Sequence, residues 1–204
     1  MRLKVRGFTL VELAIVLVII GIILGAIFKG QELIYNAKVK RIQSQLKELT
    51  AAFYTYYDKY GYYPGDDPTA SNKFTGAPDG NGNGWVEGGY CDNNNEESCY
   101  LWRHLKYANI ISGDPTDSNP TSMVPKHVFG GPIDMFTGTY TVGEQTRSGL
   151  WITLRNLEAQ AAAAIDRAMD DGKCTTGSIA RYAGATCNDN EYPSSGYLDI
   201  WMNF

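Results

Sequence analysis

The chain has 204 residues, enough for one globular domain and an attached element, and its 44% hydrophobic content is that of an ordinary folded protein. Its 18 basic and 22 acidic side chains give a net charge of −4, and without Arg2, Lys4 and Arg6 at the start the balance is 15 against 22. So acidic a surface argues against a duplex nucleic-acid binder, which needs a basic stripe against phosphates, and leaves room only for weak contact at a local patch.

Residues 8–28 form a run of 21 positions in which Glu12 is the only charged side chain and Thr9 the only other polar one. At 1.5 Å per residue that run crosses a bilayer core of about 30 Å. The basic residues before it stay on the cytoplasmic side and send the remainder outward. An ordinary secretory signal has a shorter apolar core closed by a small-residue cleavage site, and neither feature is present. A plain signal anchor is the competing reading, but it has no use for Glu12, because an ionised carboxylate in an apolar span is costly unless it finds a partner.

Gly7-Phe-Thr-Leu-Val-Glu12, followed by an apolar helix, resembles the processing signature of type IV pilins and of the pseudopilins of type II secretion. The resemblance implies a leader of residues 1–7, cleavage between Gly7 and Phe8 by a prepilin peptidase, and methylation of the new amine on Phe8. Cleavage would create a cation at Phe8, and Glu12 lies four residues on, about 6 Å along a helix. A subunit entering a staggered bundle could place that amine beside a neighbour's Glu12, so that each buried charge compensates the other and fixes the register.

No proline occurs before Pro64, and Tyr35, Val39, Ile42, Leu46, Leu49, Phe53, Tyr56 and Tyr60 repeat at spacings of four and three, which predicts one continuous helix over residues 8–60 with a single apolar stripe. A coiled coil is the alternative, but a globular region follows directly, and the stripe is read as the backing of a sheet. Gly21 and Gly25 form a Gly-x-x-x-Gly that permits close helix approach. Many major pilins carry a proline near the position of Lys29, and its absence here leaves room for a minor subunit.

Gly61 and Pro64 end the helix and open an extracytoplasmic region over residues 61–204. Tyr62-Tyr-Pro-Gly-Asp-Asp67 resembles the Tyr-Pro turn that follows the long helix in this family, and the chain to about residue 95 reads as loop. Within it, Asp79, Asn81, Asn83 and Glu87 alternate with glycines, a spacing that turns several oxygens inward and makes calcium the candidate guest. Position twelve of that loop would be Tyr90, so the bidentate glutamate of an EF-hand is missing, and Glu87, Asp66 or Asp67 is the substitute; the alternative is a solvated turn cluster.

The four cysteines fall into two close pairs, Cys91 with Cys99 and Cys174 with Cys187, as two local disulfides in an oxidising compartment would; reduced core thiols are the alternative. Zinc is disfavoured, since neither pair is CxxC and the histidines are only His104 and His127. Residues 100–107 read as a short amphipathic helix, 124–129, 139–142 and 150–154 as strands, 156–169 as a second helix closed by Gly172, and 197–204 as a last strand. The run from Ile165 to Gly172 resembles a segment of larger prepilin-like proteins, and the Cys174–Cys187 loop corresponds by resemblance to a C-terminal loop on the filament surface.

The fold expected is therefore α+β and pilin-like: a long N-terminal membrane-inserting helix packed against a C-terminal antiparallel β-sheet domain with long loops and a second helix. No hydrolase, nucleotide or redox motif is present, so no enzyme is expected and no cofactor is required. The partners implied by the resemblance are other pilins, in a homo- or hetero-polymer, the prepilin peptidase and an inner-membrane assembly platform. The precursor belongs in the inner membrane and the product in a periplasmic or cell-surface filament. A membrane-tethered calcium- or carbohydrate-binding module, lined by some of the 14 tyrosines and 4 tryptophans, is the alternative from another class.

Overall fold

The computed structural model describes residues 9–117, 119–143, 145–184 and 186–204, with the backbone alone at 121 and 183. The expected leader, residues 1–7, and Phe8 lie outside the described residues. Two compact units divide the chain, Met1–Lys38 and Val39–Phe204. The division falls inside the first helix, because burial along it begins at Val39.

That helix, α1, runs unbroken over Leu10–Tyr60. Glycine at 61 closes it in the left-handed conformation, φ 79°, with its N–H donating to the Tyr57 carbonyl at 2.8 Å. A side chain at 61 would meet open space, so Gly61→Ala is expected to cost only the backbone strain, about 1 kcal/mol, read as a lower unfolding midpoint. Val39, Ile42, Leu46, Leu49, Phe53 and Tyr56 of the predicted stripe are buried, with Ala52 beside them.

The sheet is four-stranded and antiparallel, in the order β1-β2-β4-β3: β1 (Ile133–Val142), β2 (Gln145–Glu158), β3 (Ile179–Gly184) and β4 (Tyr197–Asn203). Met135, Ile152, Met202 and Ile179 form one row across all four strands, fully buried or nearly so. This face and the helix stripe supply the core between helix and sheet, the α+β, pilin-like layout expected. On the opposite face Phe136, Trp151 and Trp201 make edge-to-face contacts at 4.9–5.8 Å, flanked by Tyr140 and Tyr90. Three of the four tryptophans, Trp102, Trp151 and Trp201, are at most 4% exposed, so most of the indole surface is spent on packing.

Four short or medium helices complete the fold: α2 (Ala70–Lys73), α3 (Glu97–Tyr107), α4 (Pro120–Met123) and α5 (Ala159–Met169). Helix α3 starts three residues before its predicted start, with Glu97 and Ser98 already buried. Residues 124–129 are not a strand. Pro125 and Pro132 cannot donate to a ladder, and the segment folds into a turn with His127 N–H on the Gly131 carbonyl at 2.9 Å and a single bridge at Lys126. The second helix begins at Ala159 and not at Asn156, because residues 156–158 finish β2 beyond a bulge, where Asn156 takes φ 54°. Strand β3 lies inside the cysteine-bracketed segment read as loop.

Candidate functional site: the amino end of the long helix and the loops of the outer unit

Between Leu10 and Phe28 every large apolar side chain of α1 is exposed, from 46% at Ile20 to 84% at Leu10. The helix is long and apolar enough to cross a membrane. Around Gly21 and Gly25 nothing lies within 4 Å of where a Cβ would sit, so both leave open notches in the apolar surface. Where the apolar run ends, Lys29 pairs with Glu32 at 2.8 Å.

Glu12 is placed by a reciprocal cap. The Thr9 N–H and hydroxyl both donate to Glu12 Oε2 at 2.8 Å, and the Glu12 N–H donates to Thr9 Oγ1 at 3.2 Å. This is the Thr-x-x-Glu capping box, which satisfies amides at the start of the helix. The signature was legible in Thr9-Leu-Val-Glu12, yet the sequence reading gave Glu12 an intermolecular role alone. Gly7 and Phe8, the expected cleavage pair, lie outside the described residues.

In the outer unit the expected calcium loop is held by hydrogen bonds. Both Asp79 oxygens accept from Ser71, at 2.7 Å; the Asn81 amide donates to Glu87 Oε2 at 3.1 Å; Asn83 Oδ1 accepts the Trp85 N–H at 2.8 Å. Two further carboxylates organise it, Asp66, expected only as a substitute ligand, and Glu97, which was not expected at all. Asp66 accepts the N–H groups of Asn83 and Gly84 at 3.0 and 2.8 Å, and Glu97 accepts those of Asn81 and Glu87 at 2.8 and 3.1 Å. Burial pushes both carboxyls above their ordinary values. Asp67 goes to Tyr56 and Lys73, at 2.8 and 2.6 Å. Burial alone would raise it, but the Lys73 ammonium and the surrounding donors bring it below the usual value.

His104 on α3 joins the same loops. Its Nδ1 accepts the Gly65 N–H at 2.9 Å, so Nε2 carries the proton and donates to the Pro78 carbonyl at 2.8 Å. Burial drives the imidazole down to about 4. An unfolded histidine titrates near 6.5, so the native state binds fewer protons between those values. The stability contributed by neutral His104 is complete above about 6.5 and lost as pH falls toward 4. In His104→Gln that dependence disappears, and the stability gap between native and variant chains should narrow by up to about 3 kcal/mol from pH 6.5 to 4 in denaturant titrations.

Both cysteine pairs are bonded: Cys91 with Cys99, Cα atoms 4.8 Å apart, and Cys174 with Cys187, 6.2 Å apart. The first is fastened to the sheet by a group that sequence reading missed. Asp134 on β1, fully buried, accepts the Cys91 N–H at 2.9 Å and pairs with Arg155 of β2 at 2.8 Å; Arg155 also pairs with Asp92 and lies 4.5 Å over the Tyr90 ring. Burial outweighs Arg155 and pushes the Asp134 carboxyl up to about 6. Asp166, Asp170 and Asp171 bring carboxylate oxygens within 4.8 Å of one another, but each is committed to nearby donors, among them Tyr192, Ile179 and Thr176, and they shape the turn after α5. Nothing in their sequence spacing identified Asp166 as the buried member.

Comparison with curated proteins gives no match. Residues 2–28 match the family described as the prokaryotic N-terminal methylation motif. The matched segment spans the basic start, the Gly7-Phe8 pair, the Thr9–Glu12 cap and the exposed apolar helix up to Phe28. That composition points to a structural protein and fits a precursor anchored in the inner membrane. Residues 2–28 carry the N-terminal methylation motif that is the signature of type IV pilins and pseudopilins.

Proposed function

We propose that this chain is a structural subunit of a type IV pilus or pilus-like filament, drawn from the inner membrane through its first helix after cleavage between Gly7 and Phe8. The observation that supports the reading is Glu12 as the one charged side chain in the exposed apolar stretch of α1 up to Phe28, which lies in the matched segment. Once residues 1–7 are removed, the Phe8 amine of an incoming subunit meets Glu12 of its neighbour, and helices close on each other along the Gly21 and Gly25 notches. The prepilin peptidase and an inner-membrane assembly platform are the partners this route needs.

A pilus is favoured over the short pseudopilus of a secretion machine by the size of the outer unit, Val39–Phe204, and its two disulfides, which suit a surface exposed outside the cell. Shearing intact cells separates the two. The pilus reading expects this chain in the sheared filament fraction; recovery only from the envelope would favour the pseudopilus. Calcium at the 79–87 loop is part of the proposal, and it would have to displace the hydrogen bonds that Asp79, Asn81 and Asn83 accept. Titration of the full chain with calcium chloride is expected to change the tryptophan emission, to which exposed Trp85 contributes, and an unchanged spectrum would remove the metal from the account.

A further inference from the structure

The loop that begins at Asp79 contains two Asn-Gly steps, Asn81-Gly82 and Asn83-Gly84, and all four residues are exposed. Such steps are chemically fragile. With no Cβ on the following residue, its backbone nitrogen can swing against the asparagine side chain. That nitrogen, having lost its proton, attacks Cγ; the N–Cγ bond forms, the Cγ–Nδ2 bond breaks, and ammonia leaves with the proton. Water then opens the succinimide to aspartate or isoaspartate. The reaction needs the glycine N–H to be free and the asparagine side chain to be mobile, and here neither condition holds.

We infer that Asn81 and Asn83 are suppressed deamidation sites and that the Asp66 carboxylate is the guard of Asn83. Gly84 N–H donates to Asp66 Oδ2 at 2.8 Å, and Asn83 N–H donates to Asp66 Oδ1 at 3.0 Å. A proton shared with a carboxylate is held in the form that cannot attack, because losing it would set an amide anion against a second negative charge. At the other end of the step Asn83 Oδ1 accepts the Trp85 N–H, which restrains the side chain that would have to rotate for the attack.

The first step is protected differently. Gly82 N–H donates to the main-chain carbonyl of Asp66 at 3.0 Å, Asn81 Oδ1 accepts the Asn83 N–H at 2.9 Å, and Asn81 Nδ2 is bound to Glu87. The two sites therefore answer differently to one substitution. Loss of the Asp66 side chain removes the acceptor of the Gly84 N–H, whereas the Gly82 N–H loses a weaker pull from that carboxyl and keeps its main-chain acceptor. The guard matters to the fold because the residues just after the loop enter the core: Val86 is fully buried, its N–H donates to Thr137 Oγ1, and its carbonyl accepts from the Thr137 N–H at 3.0 Å. Isoaspartate at position 83 would insert an extra methylene into the main chain three residues before that junction. This inference is independent of the filament reading.

The test is peptide mapping by mass spectrometry of the full chain in detergent, incubated at neutral pH and scored for conversion of each asparagine. Native wild type is expected to convert at both sites about tenfold or more slowly than the same chain reduced and unfolded in urea, and equal rates would overturn the proposal without recourse to any variant. In Asp66→Ala, conversion at Asn83 is expected to rise about tenfold while Asn81 stays within about twofold of native. Asp66→Asn, which retains the volume and one neutral acceptor and is followed by circular dichroism as the folding control, should give an intermediate rate at Asn83. Acceleration at neither site, or equal acceleration at both in a chain that remains folded, would overturn the assignment to Asp66.

Discussion

Glu12→Gln is expected to lower filament recovered by shearing by roughly tenfold or more, while the unfolding of the outer unit stays as in wild type. The substitution separates two uses of one side chain. In the single chain Glu12 closes a capping box with Thr9, and glutamine serves that box as well as glutamate does. The start of α1 should therefore survive. What glutamine cannot supply is the negative charge that the proposed assembly sets against a neighbour's Phe8 amine. Thr9→Ala is the complementary variant: it removes the cap, a local cost of about 1 kcal/mol, and keeps the charge, so assembly should persist. If Glu12→Gln assembled normally and Thr9→Ala did not, the glutamate would be a helix cap and nothing more.

Arg155→Met is expected to destabilise the outer unit by about 3–5 kcal/mol at neutral pH, read in denaturant titrations. The loss comes from what stays behind. Asp134 is fully buried, and Arg155 at 2.8 Å is the cation that compensates it. The deficit should shrink as pH falls toward 6, because without Arg155 the buried carboxyl takes up a proton above the value of about 6 that it has in the pair. Asp134→Asn in the same chain should recover much of it, since an amide oxygen can still accept the Cys91 N–H without carrying charge. Asp134→Asn alone, with Arg155 still paired to Asp92, should cost less than Arg155→Met.

The parts of this fold that could be read from the sequence are those in which one physical signal dominates locally. The four-and-three spacing from Val39 to Tyr56 could only be a helix face, and Gly61 could only end it. The close cysteine pairs, both bonded, belong to the same class, since proximity along the chain is what a local disulfide needs. Where contacts are long-range the reading was incomplete. β3 lies inside a cysteine-bracketed segment and owes its extended form to pairing with β4, which no local pattern announces. The run 124–129 has strand-like composition, but Pro125 and Pro132 deny it a ladder. At the candidate site the motif from Gly7 to Glu12 was legible because its chemistry is written in consecutive residues. The Asp66 and Glu97 anchors, the neutral His104 and the Asp134–Arg155 pair join positions far apart in the chain, and only the fold brings them together.

The most direct measurement of the central claim is the mass of the mature N-terminal peptide from protein purified out of its native membrane. The account predicts a chain that begins at Phe8 with a methyl group on its amine. A chain that begins at Met1, or at any residue that leaves Glu12 without a nearby freed amine, would contradict it.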